Sequence, residues 1–275
     1  MSIVESMVLG VVQGLTEFLP ISSTAHLRVV PSLLGWPDPG AAMSAVIQLG
    51  SVIAVIAYFR SDIVHILAGT LKAIQTKNFD SEECRLFGGI IIGTLPICIL
   101  GLLLKHVLEQ EGSPFRSLIV IGCSSIFMAL FLLFAESRHK QLRDIHALGA
   151  KDGLLVGLGQ AMALIPGCSR SGSTLTVAML LNIKREDAAR FSFLLGIPAI
   201  ILSGLLELKE MLGQGLDQAH SVDLAIGLII STVVSYLSIA WLLKYLRTHS
   251  TKVFVGYRLI FGLTVLVLSQ IGYIH

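Results

Sequence analysis

The sequence predicts an all-α, polytopic integral membrane protein with two inverted-topology repeats, each a re-entrant helical hairpin followed by three transmembrane helices. Its mean hydropathy is +0.80, and only 14% of the 275 residues are charged, whereas soluble domains carry roughly 25%. The apolar residues form runs of bilayer-spanning length, and two further apolar stretches are interrupted by polar residues at matching places. This composition excludes an ordinary water-soluble domain.

Six apolar runs can cross ~30 Å of hydrocarbon as helices of about 20 residues. They cover residues 41–59, 86–104, 117–135, 190–206, 222–243 and 253–271. Two other stretches, 3–34 and 153–182, are apolar but broken at mid-length by proline and hydroxyl residues. Irregular backbone at membrane depth is tolerated only where protein or a wet cavity surrounds it. We therefore predict that each of these stretches is a re-entrant hairpin of two half-helices.

The chain also repeats itself. Gly10 and Gln13 correspond to Gly157 and Gln160, and a one-residue slip before Pro20 then brings three more positions into correspondence. These pairs are Pro20 with Pro166, Ser23 with Ser169, and Gly50 with Gly196. Each half holds one hairpin and three spans, so the odd number of spans inverts the second half. We predict a single membrane domain, with repeat one at 1–135, a cytoplasmic linker at 136–152 and repeat two at 153–275.

The lysines and arginines predict the orientation. If each hairpin returns to the side that it left, one face carries fourteen basic residues and the other carries three, and basic loops favour the cytoplasm. The fourteen are Arg60, Lys72, Lys77, Arg85, Arg138, Lys140, Arg143, Lys151, Lys184, Arg185, Arg190, Lys244, Arg247 and Lys252; the three are Lys105, Arg116 and Lys209. Both termini then lie outside, the first hairpin enters from outside, and segment 60–85 is a solvated cytoplasmic connection.

The first hairpin carries a polar cluster at the depth where ionisable groups cost roughly 2.5–3.5 kcal/mol to insert. Gln13 and Glu17 share a helix face, and Pro20 ends that half-helix. Three hydroxyl residues, Ser22, Ser23 and Thr24, begin the next half, and His26 follows on the same side of the turn as the serines. A serine becomes a nucleophile when a base takes its proton, and histidine is the usual base. Glu17 is expected to orient the imidazole or, with Gln13, to hold a divalent cation.

The second hairpin contains the segment PGCSRSGST, which predicts an anion cradle for phosphate. The expected cradle residues are Gly167, Ser169, Arg170, Ser171, Gly172, Ser173 and Thr174. The glycines permit close backbone approach, a helix start offers N–H groups, and the arginine fork suits phosphate oxygens. We expect Glu17 and Arg170 to pair across the two tips.

Of the remaining features, the small residues of 88–93 are expected to pack helices, and Arg258 is expected to serve a helix-end carbonyl or a lipid headgroup.

These motifs resemble the undecaprenyl-diphosphatase family of bacterial membrane enzymes, and the resemblance covers essentially the whole chain. It is carried by QGLTEFLPISSTAH (13–26) and PGCSRSGST (166–174), with support from VIQLGS (46–51) and RFSFLLGIP (190–198). The resemblance implies hydrolysis of undecaprenyl diphosphate to undecaprenyl phosphate and inorganic phosphate in the bacterial plasma (inner) membrane. That reaction recycles the lipid carrier for peptidoglycan synthesis. The family is also known for bacitracin resistance, which implies that bacitracin competes indirectly by binding the substrate.

Residue by residue, the resemblance places the family's acidic motif on Gln13 and Glu17, its serine on Ser23 with Ser22 adjacent, and its histidine on His26; its arginine motif falls on Ser169, Arg170, Ser171 and Thr174. We expect Glu17, Ser23, His26 and Arg170 to be catalytic. The diphosphate would be bound by Ser22, Thr24, Gly167, Ser169, Ser171, Gly172, Ser173 and Thr174. In the favoured scheme Ser23 attacks phosphorus and His26 is its base; in the alternative His26 attacks and Ser23 donates a hydrogen bond. The family's divalent cation, Mg²⁺ or Ca²⁺, would be bound by Glu17 and Gln13. Because position 13 is a glutamine, this pair supplies only one carboxylate.

Two other classes of function remain open at this point. A secondary transporter or flippase for a phosphorylated lipid or anion would also use inverted repeats with broken helices, but it needs no activated hydroxyl beside a base. A non-catalytic lipid-binding subunit would not need the cradle to face the first cluster. The expected partners are a polyprenyl diphosphate and membrane lipids, with no nucleic acid, and a homodimer is left open. We expect the pocket to open outward.

Overall fold

The computed structural model describes residues 2–37, 40–109, 117–213 and 218–274, and these residues form helices joined by short connections. The α-helices, in chain order, are α1 Ile3–Thr16, α2 Ser23–Leu34, α3 Gly40–Tyr58, α4 Arg60–Thr76, α5 Glu82–Glu109, α6 Leu118–Arg138, α7 Ala150–Ala161, α8 Arg170–Leu180, α9 Arg185–Gly213, α10 Gln218–Leu246 and α11 Lys252–Gln270. The predicted all-α, multi-pass fold is confirmed. The predicted outer location of the termini concerns residues 1 and 275, and Arg116 is one of the three basic residues assigned to the outer face; all of these lie outside the described residues.

Five of the described helices are long and apolar enough to cross a membrane. They are α5, α6, α9, α10 and α11, and they contain five of the six predicted spans. The sixth run lies in α3, which qualifies only together with α4, and these two helices are bent by 69° at their junction. The fourth predicted span was short, and α9 extends it at both ends.

Helix α4 corrects the prediction that segment 60–85 is a solvated connection. Its inner face, which includes Ile66, Thr70 and Ala73, is buried. A second stripe of apolar residues is exposed: Val64, Leu67, Leu71 and Ile74 are each at least half exposed. The charged residues scattered along this segment, Arg60, Asp62 and Lys72 among them, hid the helical period of its apolar residues.

The two predicted hairpins are present as α1–α2 and α7–α8, with their breaks at residues 17–22 and 162–169. Ser22 and Ser169 cap the returning helices with their side chains and adopt matching positive φ angles of 76° and 69°. The equivalent residue of Ser169 is therefore Ser22 and not Ser23, which the spacing of the sequence had indicated. The spacing between equivalent residues of the two halves therefore stays the same from Gly10 to Ser22, and it shortens by one residue between Ser22 and Gly50. The inverted repeat itself stays a prediction.

Each hairpin packs its first helix against a long helix from the other half of the chain. On α1, Gly10 faces the carbonyl of Gly227 in α10, while on α7, Gly153 faces Gly89 of α5. A Cβ at Gly153 would lie 2.0 Å from the carbonyl oxygen of Gly89, so the two backbones are in direct contact. Small residues are used in membranes for this close approach, and the expectation that 88–93 packs helices is confirmed.

One end of the bundle gathers the ion pairs of the connections. The described pairs here are Arg143–Asp152 (2.7 Å), Arg247–Glu186 (2.8 Å), Arg185–Glu136, Arg190–Asp62 and His146–Glu82. The first residues of both α5 and α9 belong to this end, because Glu82 and Arg185 take part. The connection between α6 and α7, residues 139–149, lies here within the predicted linker.

The α5–α7 contact predicts that alanine substitutions at two glycines of α5, Gly93 and Gly88, differ sharply in their effect on thermal stability. Gly93→Ala should lower the midpoint of thermal unfolding in detergent, because its Cβ would lie 2.3 Å from the carbonyl oxygen of Gly153. Gly88→Ala is the matched control, since nothing lies within 4 Å of its Cβ and alanine favours a helix by about 1 kcal/mol over glycine. Equal midpoints for the two variants would contradict this packing.

Candidate active site

A cavity of about 310 Å³ lies where the two hairpin tips meet. One wall is polar and comes from the tips together with α3. These polar lining residues are Glu17, Ser22, Ser23, Thr24, Gln48, Ser169 and Arg170. The opposite wall comes mainly from α5 and α9 and is largely apolar. The cavity is thus suited to a molecule with a polar head and an apolar body.

Glu17 is the centre of the polar wall and is 5% exposed. Its Oε2 accepts hydrogen bonds from Gln13 Nε2 (2.9 Å) and Ser23 Oγ (2.6 Å). Its Oε1 accepts from Gln48 Nε2 (3.1 Å) and Arg170 Nη2 (3.1 Å). Four donors from both hairpins and α3 therefore fix the carboxylate, and the predicted pairing of Glu17 with Arg170 is formed.

Ser23 stands at the first position of α2, directly after the capping residue Ser22. The Ser22 side chain accepts from the N–H of Ala25, which leaves the earlier amides of the turn, those of Ser23 and Thr24, without an intrahelical acceptor. A helix start of this kind attracts anions. The Ser23 hydroxyl donates to Glu17, so a hydroxyl and a carboxylate able to take its proton are in hydrogen-bond contact.

Arg170 has unused hydrogen-bonding capacity at the cavity. Its Nη2 is bound to Glu17, while Nε and Nη1 are buried with no partner among the described residues. Buried donors in proteins are normally paired, so two unpaired donors on a side chain that lines a cavity make Arg170 a candidate for binding an acceptor group of a ligand. The guanidinium fits because position 196 is a glycine: a Cβ there would lie 1.5 Å from Nη1.

His26 does not occupy the place predicted for the base of Ser23. Its Nδ1 donates to the carbonyl of Ser22 (2.7 Å), because a carbonyl can only accept, and its Nε2 therefore accepts from the hydroxyl of Tyr257 (2.6 Å). The ring stacks on Phe261 with 4.3 Å between centroids. Both nitrogens are bonded away from the cavity, and the side chain that contacts the Ser23 hydroxyl is Glu17 and not His26.

The predicted phosphate cradle divides into two groups. Ser169 and Arg170 line the cavity, but the described lining omits the other five residues: Gly167, Ser171, Gly172, Ser173 and Thr174. Their contacts hold the hairpin instead. Ser171 Oγ donates to the carbonyl of Leu19 (2.9 Å), Ser173 and Thr174 donate to that of Arg170 (3.1 and 2.7 Å), and the two glycines face Ser124 and Arg258. The side-chain hydroxyls of Ser171, Ser173 and Thr174 are therefore engaged within the fold, and phosphate binding by these five residues stays a prediction.

Sequence reasoning missed two contributors, Gln48 and Ser51, and left the partners of a third residue, Arg258, unidentified. Gln48 lines the cavity and binds Glu17, and Ser51 accepts from Gln13 (3.3 Å); both lie in the VIQLGS segment, where a polar side chain inside an apolar span was the available signal. Arg258 was expected to serve carbonyl groups or a lipid headgroup, and it binds carbonyls of both hairpin tips. Its partners are far away in sequence, so no spacing could reveal them.

The residues around Glu17 do not form a protein cage for a divalent cation. No group of three His, Cys, Asp or Glu side chains in the described ranges is arranged to hold a metal ion. Among the described lining residues Glu17 is the one carboxylate, and protein donors occupy both of its oxygens. Mg²⁺ commonly relies on one or two carboxylates together with substrate phosphates. The Gln13 amide donates to Glu17, and the predicted Gln13–Glu17 metal pair stays a prediction.

The apolar wall opens sideways between α5 and α9. Ile97, Gly101 and Leu102 contribute from α5, and Leu202 and Leu206 contribute from α9. Leu102, Leu202 and Leu206 are 66%, 45% and 42% exposed. All five lie in the C-terminal halves of their helices, away from the end that gathers the ion pairs. The gap therefore faces lipid on the side of the bundle opposite residues 139–149.

Comparison with known proteins gives consistent matches over the whole chain. Residues 6–264 match the family described as bacitracin resistance protein BacA. The chain is 57% identical over 270 residues to an undecaprenyl-diphosphatase from Gloeobacter violaceus, covering 98% of this chain and 93% of that protein. It is 53% identical over 269 residues to an undecaprenyl-diphosphatase from Synechococcus elongatus, again covering 98% and 93%. The matched residues include both hairpins.

A substitution at Gly196 can test whether the position of the Arg170 guanidinium matters for activity. Gly196→Ala should lower phosphate release from a polyprenyl diphosphate by up to ~10²-fold, because the new methyl group displaces the guanidinium and misplacement by about 1 Å has effects of that size. Gly256→Ala is the control, as nothing lies within 4 Å of a Cβ at that position. Rates that match in the two variants would show that Arg170 need not sit where the structure has it.

Proposed function

This chain belongs to the bacitracin resistance protein BacA family, and on that premise we propose that the cavity between its hairpin tips is the site that hydrolyses undecaprenyl diphosphate to undecaprenyl phosphate and inorganic phosphate. The activity recycles the lipid carrier for peptidoglycan synthesis. The observation that supports this site best is the 2.6 Å hydrogen bond from Ser23 to Glu17, beside an arginine with two unpaired donors. A hydroxyl, a base and an anion-binding group meet on one wall.

In this proposal the diphosphate binds to Arg170 and to the starts of α2 and α8. The Nε and Nη1 atoms of Arg170 donate to phosphate oxygens, and the first amides of both helices point to the same negative charge. These donors are held in place before the substrate arrives. Preorganised donors of this type stabilise the charge that develops on the transferred phosphoryl group.

Glu17 takes the proton of Ser23 as its Oγ attacks the terminal phosphorus. The Oγ–P bond forms, the bond from that phosphorus to the bridging oxygen breaks, and undecaprenyl phosphate leaves with the bridging oxygen and takes the proton from Glu17. Water then attacks the phosphorus of the phosphoserine and gives a proton to the Glu17 carboxylate. The Oγ–P bond breaks, Glu17 passes the proton to Ser23 Oγ, and inorganic phosphate leaves. His26 keeps the Ser22–Ser23 turn in place through its bond to the Ser22 carbonyl. A divalent cation, if the reaction needs one, is proposed to bind mainly through the phosphate oxygens.

The prenyl tail is proposed to remain in lipid and to pass through the gap between α5 and α9. The positive-inside rule assigns the ion-paired end to the cytoplasm, so the gap and the polar wall face the outer half of a bacterial plasma membrane and both termini lie outside. Bacitracin would then compete for the same lipid outside the cell.

A transporter is less well supported by the interior of the bundle. On the cytoplasmic side of the tips, Phe18, Phe59 and Phe193 pack edge to face, with centroids 5.0 Å apart for Phe18–Phe193 and 6.3 Å apart for Phe59–Phe193. All three are about 1% exposed. A path across the membrane would need this cluster to separate, whereas hydrolysis from one side leaves it intact.

The base and the nucleophile can be tested with conservative variants. Glu17→Gln and Ser23→Ala should each lower turnover of undecaprenyl diphosphate by at least ~10²-fold, since each removes one partner of the proton transfer. Thr24→Ala is the control: Thr24 lines the cavity, but its hydroxyl contacts Ser22 and not Glu17. Labelling from a terminally radiolabelled substrate in an acid-quenched reaction should leave acid-stable phosphoserine. An acid-labile phosphohistidine would return the nucleophile to His26.

The side of access can be tested in sealed vesicles of known orientation. A Thr24→Cys variant in a chain with Cys98→Ala, which removes the native thiol of the cavity wall, should react with a membrane-impermeant thiol reagent only from the outer face. Undecaprenyl diphosphate should slow the reaction. A cysteine at Asn78, next to the end of α4, should react only from the cytoplasmic face. The reverse pattern at both positions would invert the proposed orientation.

A further inference from the structure

Arg258 is a buried charge that the proposed reaction does not use. It lies in α11, is 1% exposed, and is the largest of the fully buried side chains in the described residues. The hydrogen bonds of its guanidinium all go to backbone carbonyl groups. These are Nη1 to Pro20 (2.9 Å), Nη2 to Gly167 (2.6 Å) and Cys168 (3.2 Å), and Nε to Ser125 (3.3 Å).

The four carbonyls belong to three separate parts of the fold. Pro20 is in the first tip, Gly167 and Cys168 are in the second tip, and Ser125 is in α6. Carbonyls at a helix break lack an intrahelical donor, and lipid cannot supply one. One planar fork therefore satisfies both tips at once and fixes the distance between them.

The tips carry the two halves of the catalytic site only a few residues away. Glu17 and Ser23 each lie three residues from Pro20, and Arg170 lies two residues after Cys168. Around the fork the packing is tight: a Cβ at Gly172 would lie 3.0 Å from Arg258 Nη1, so the first turn of α8 rests on the guanidinium. Movement of Arg258 is therefore transmitted to the Arg170 side of the site.

We propose that Arg258 is a positioning residue that holds the two half-sites in register by binding carbonyl groups of both tips. A lysine has the same charge but presents a compact ammonium group without a planar fork, so it cannot reproduce this set of bonds. The proposed role depends on the planar shape of the guanidinium group, and a positive charge alone cannot perform it. The inference rests on the proposed function for its kinetic readout only.

The kinetic experiment compares Arg258→Lys with the parent on undecaprenyl diphosphate. We expect kcat to fall by ~10²-fold with little change in KM, because the substrate still binds while the reacting groups are misplaced. Added guanidinium ion should restore activity to Arg258→Ala, and methylammonium should not. Arg247→Lys is the matched control, since Arg247 pairs with Glu186 at the surface of the other end of the bundle. A parental kcat in Arg258→Lys, or a loss confined to KM, would overturn the proposal.

A second readout needs no enzyme activity. Cys168 in the second tip is 2% exposed, so in a chain whose Cys84, Cys98 and Cys123 are replaced it should react slowly with a small thiol reagent. Arg258→Lys should accelerate that reaction. An unchanged rate would overturn the proposed positioning role of Arg258 even if the parent proved inactive on undecaprenyl diphosphate. An inactive parent with accelerated labelling would instead contradict the proposed function alone.

Ser171→Ala covers the case in which the Arg258 variants do not fold. It removes a separate direct contact between the tips, from Ser171 Oγ to the carbonyl of Leu19. We expect a smaller fall in kcat, an unchanged KM and faster labelling of Cys168. Parental values for all three measurements would show that contacts between the tips do not set the geometry of the site.

Discussion

Two helix breaks at membrane depth leave carbonyl and N–H groups that lipid cannot hydrogen-bond, and the rest of the fold is arranged to satisfy them. The serine caps take the amides, while Arg258, Ser124 and Ser171 donate to carbonyls of the tips. These donors come from α11, α6 and the opposite hairpin. Neither hairpin can therefore be completed by its own half of the chain, and the catalytic wall exists only once the whole bundle has assembled.

The Glu17–Arg170 pair shows where that arrangement serves chemistry and not stability. A buried ion pair contributes little to stability, because removing both charges from water offsets their attraction. Here the carboxylate is fully satisfied by four donors, whereas the guanidinium keeps two donors unpaired among the described residues. A site that binds an anion has to leave donors free before the anion arrives. The two unpaired donors are therefore the feature of this ion pair on which the proposed diphosphate site depends.

The elements that follow local rules could be predicted from the sequence, and those that depend on distant partners could not. Apolar length predicted six spans, five of which are single helices of spanning length, and prolines with hydroxyl residues predicted both hairpins. Helix α4 escaped because charged residues interrupt the period of its apolar residues. The assignment of His26 as a base followed from its spacing to Ser23, but Tyr257, a residue 231 positions away, holds its Nε2. The cradle motif was recognised as a unit, although only Ser169 and Arg170 of its described residues reach the cavity, because spacing cannot distinguish a hydroxyl that binds substrate from one that binds backbone.

The matching positive φ angles of Ser22 and Ser169 have a consequence for how the protein can change over time. A non-glycine residue in such a conformation stores roughly 1–3 kcal/mol of strain. Glycine would release that strain, but it would also remove the hydroxyl that caps the catalytic helix. The two serines thus keep a strained backbone and, with it, the hydrogen bonds that cap α2 and α8. Neither position can be relaxed by glycine without giving up its cap.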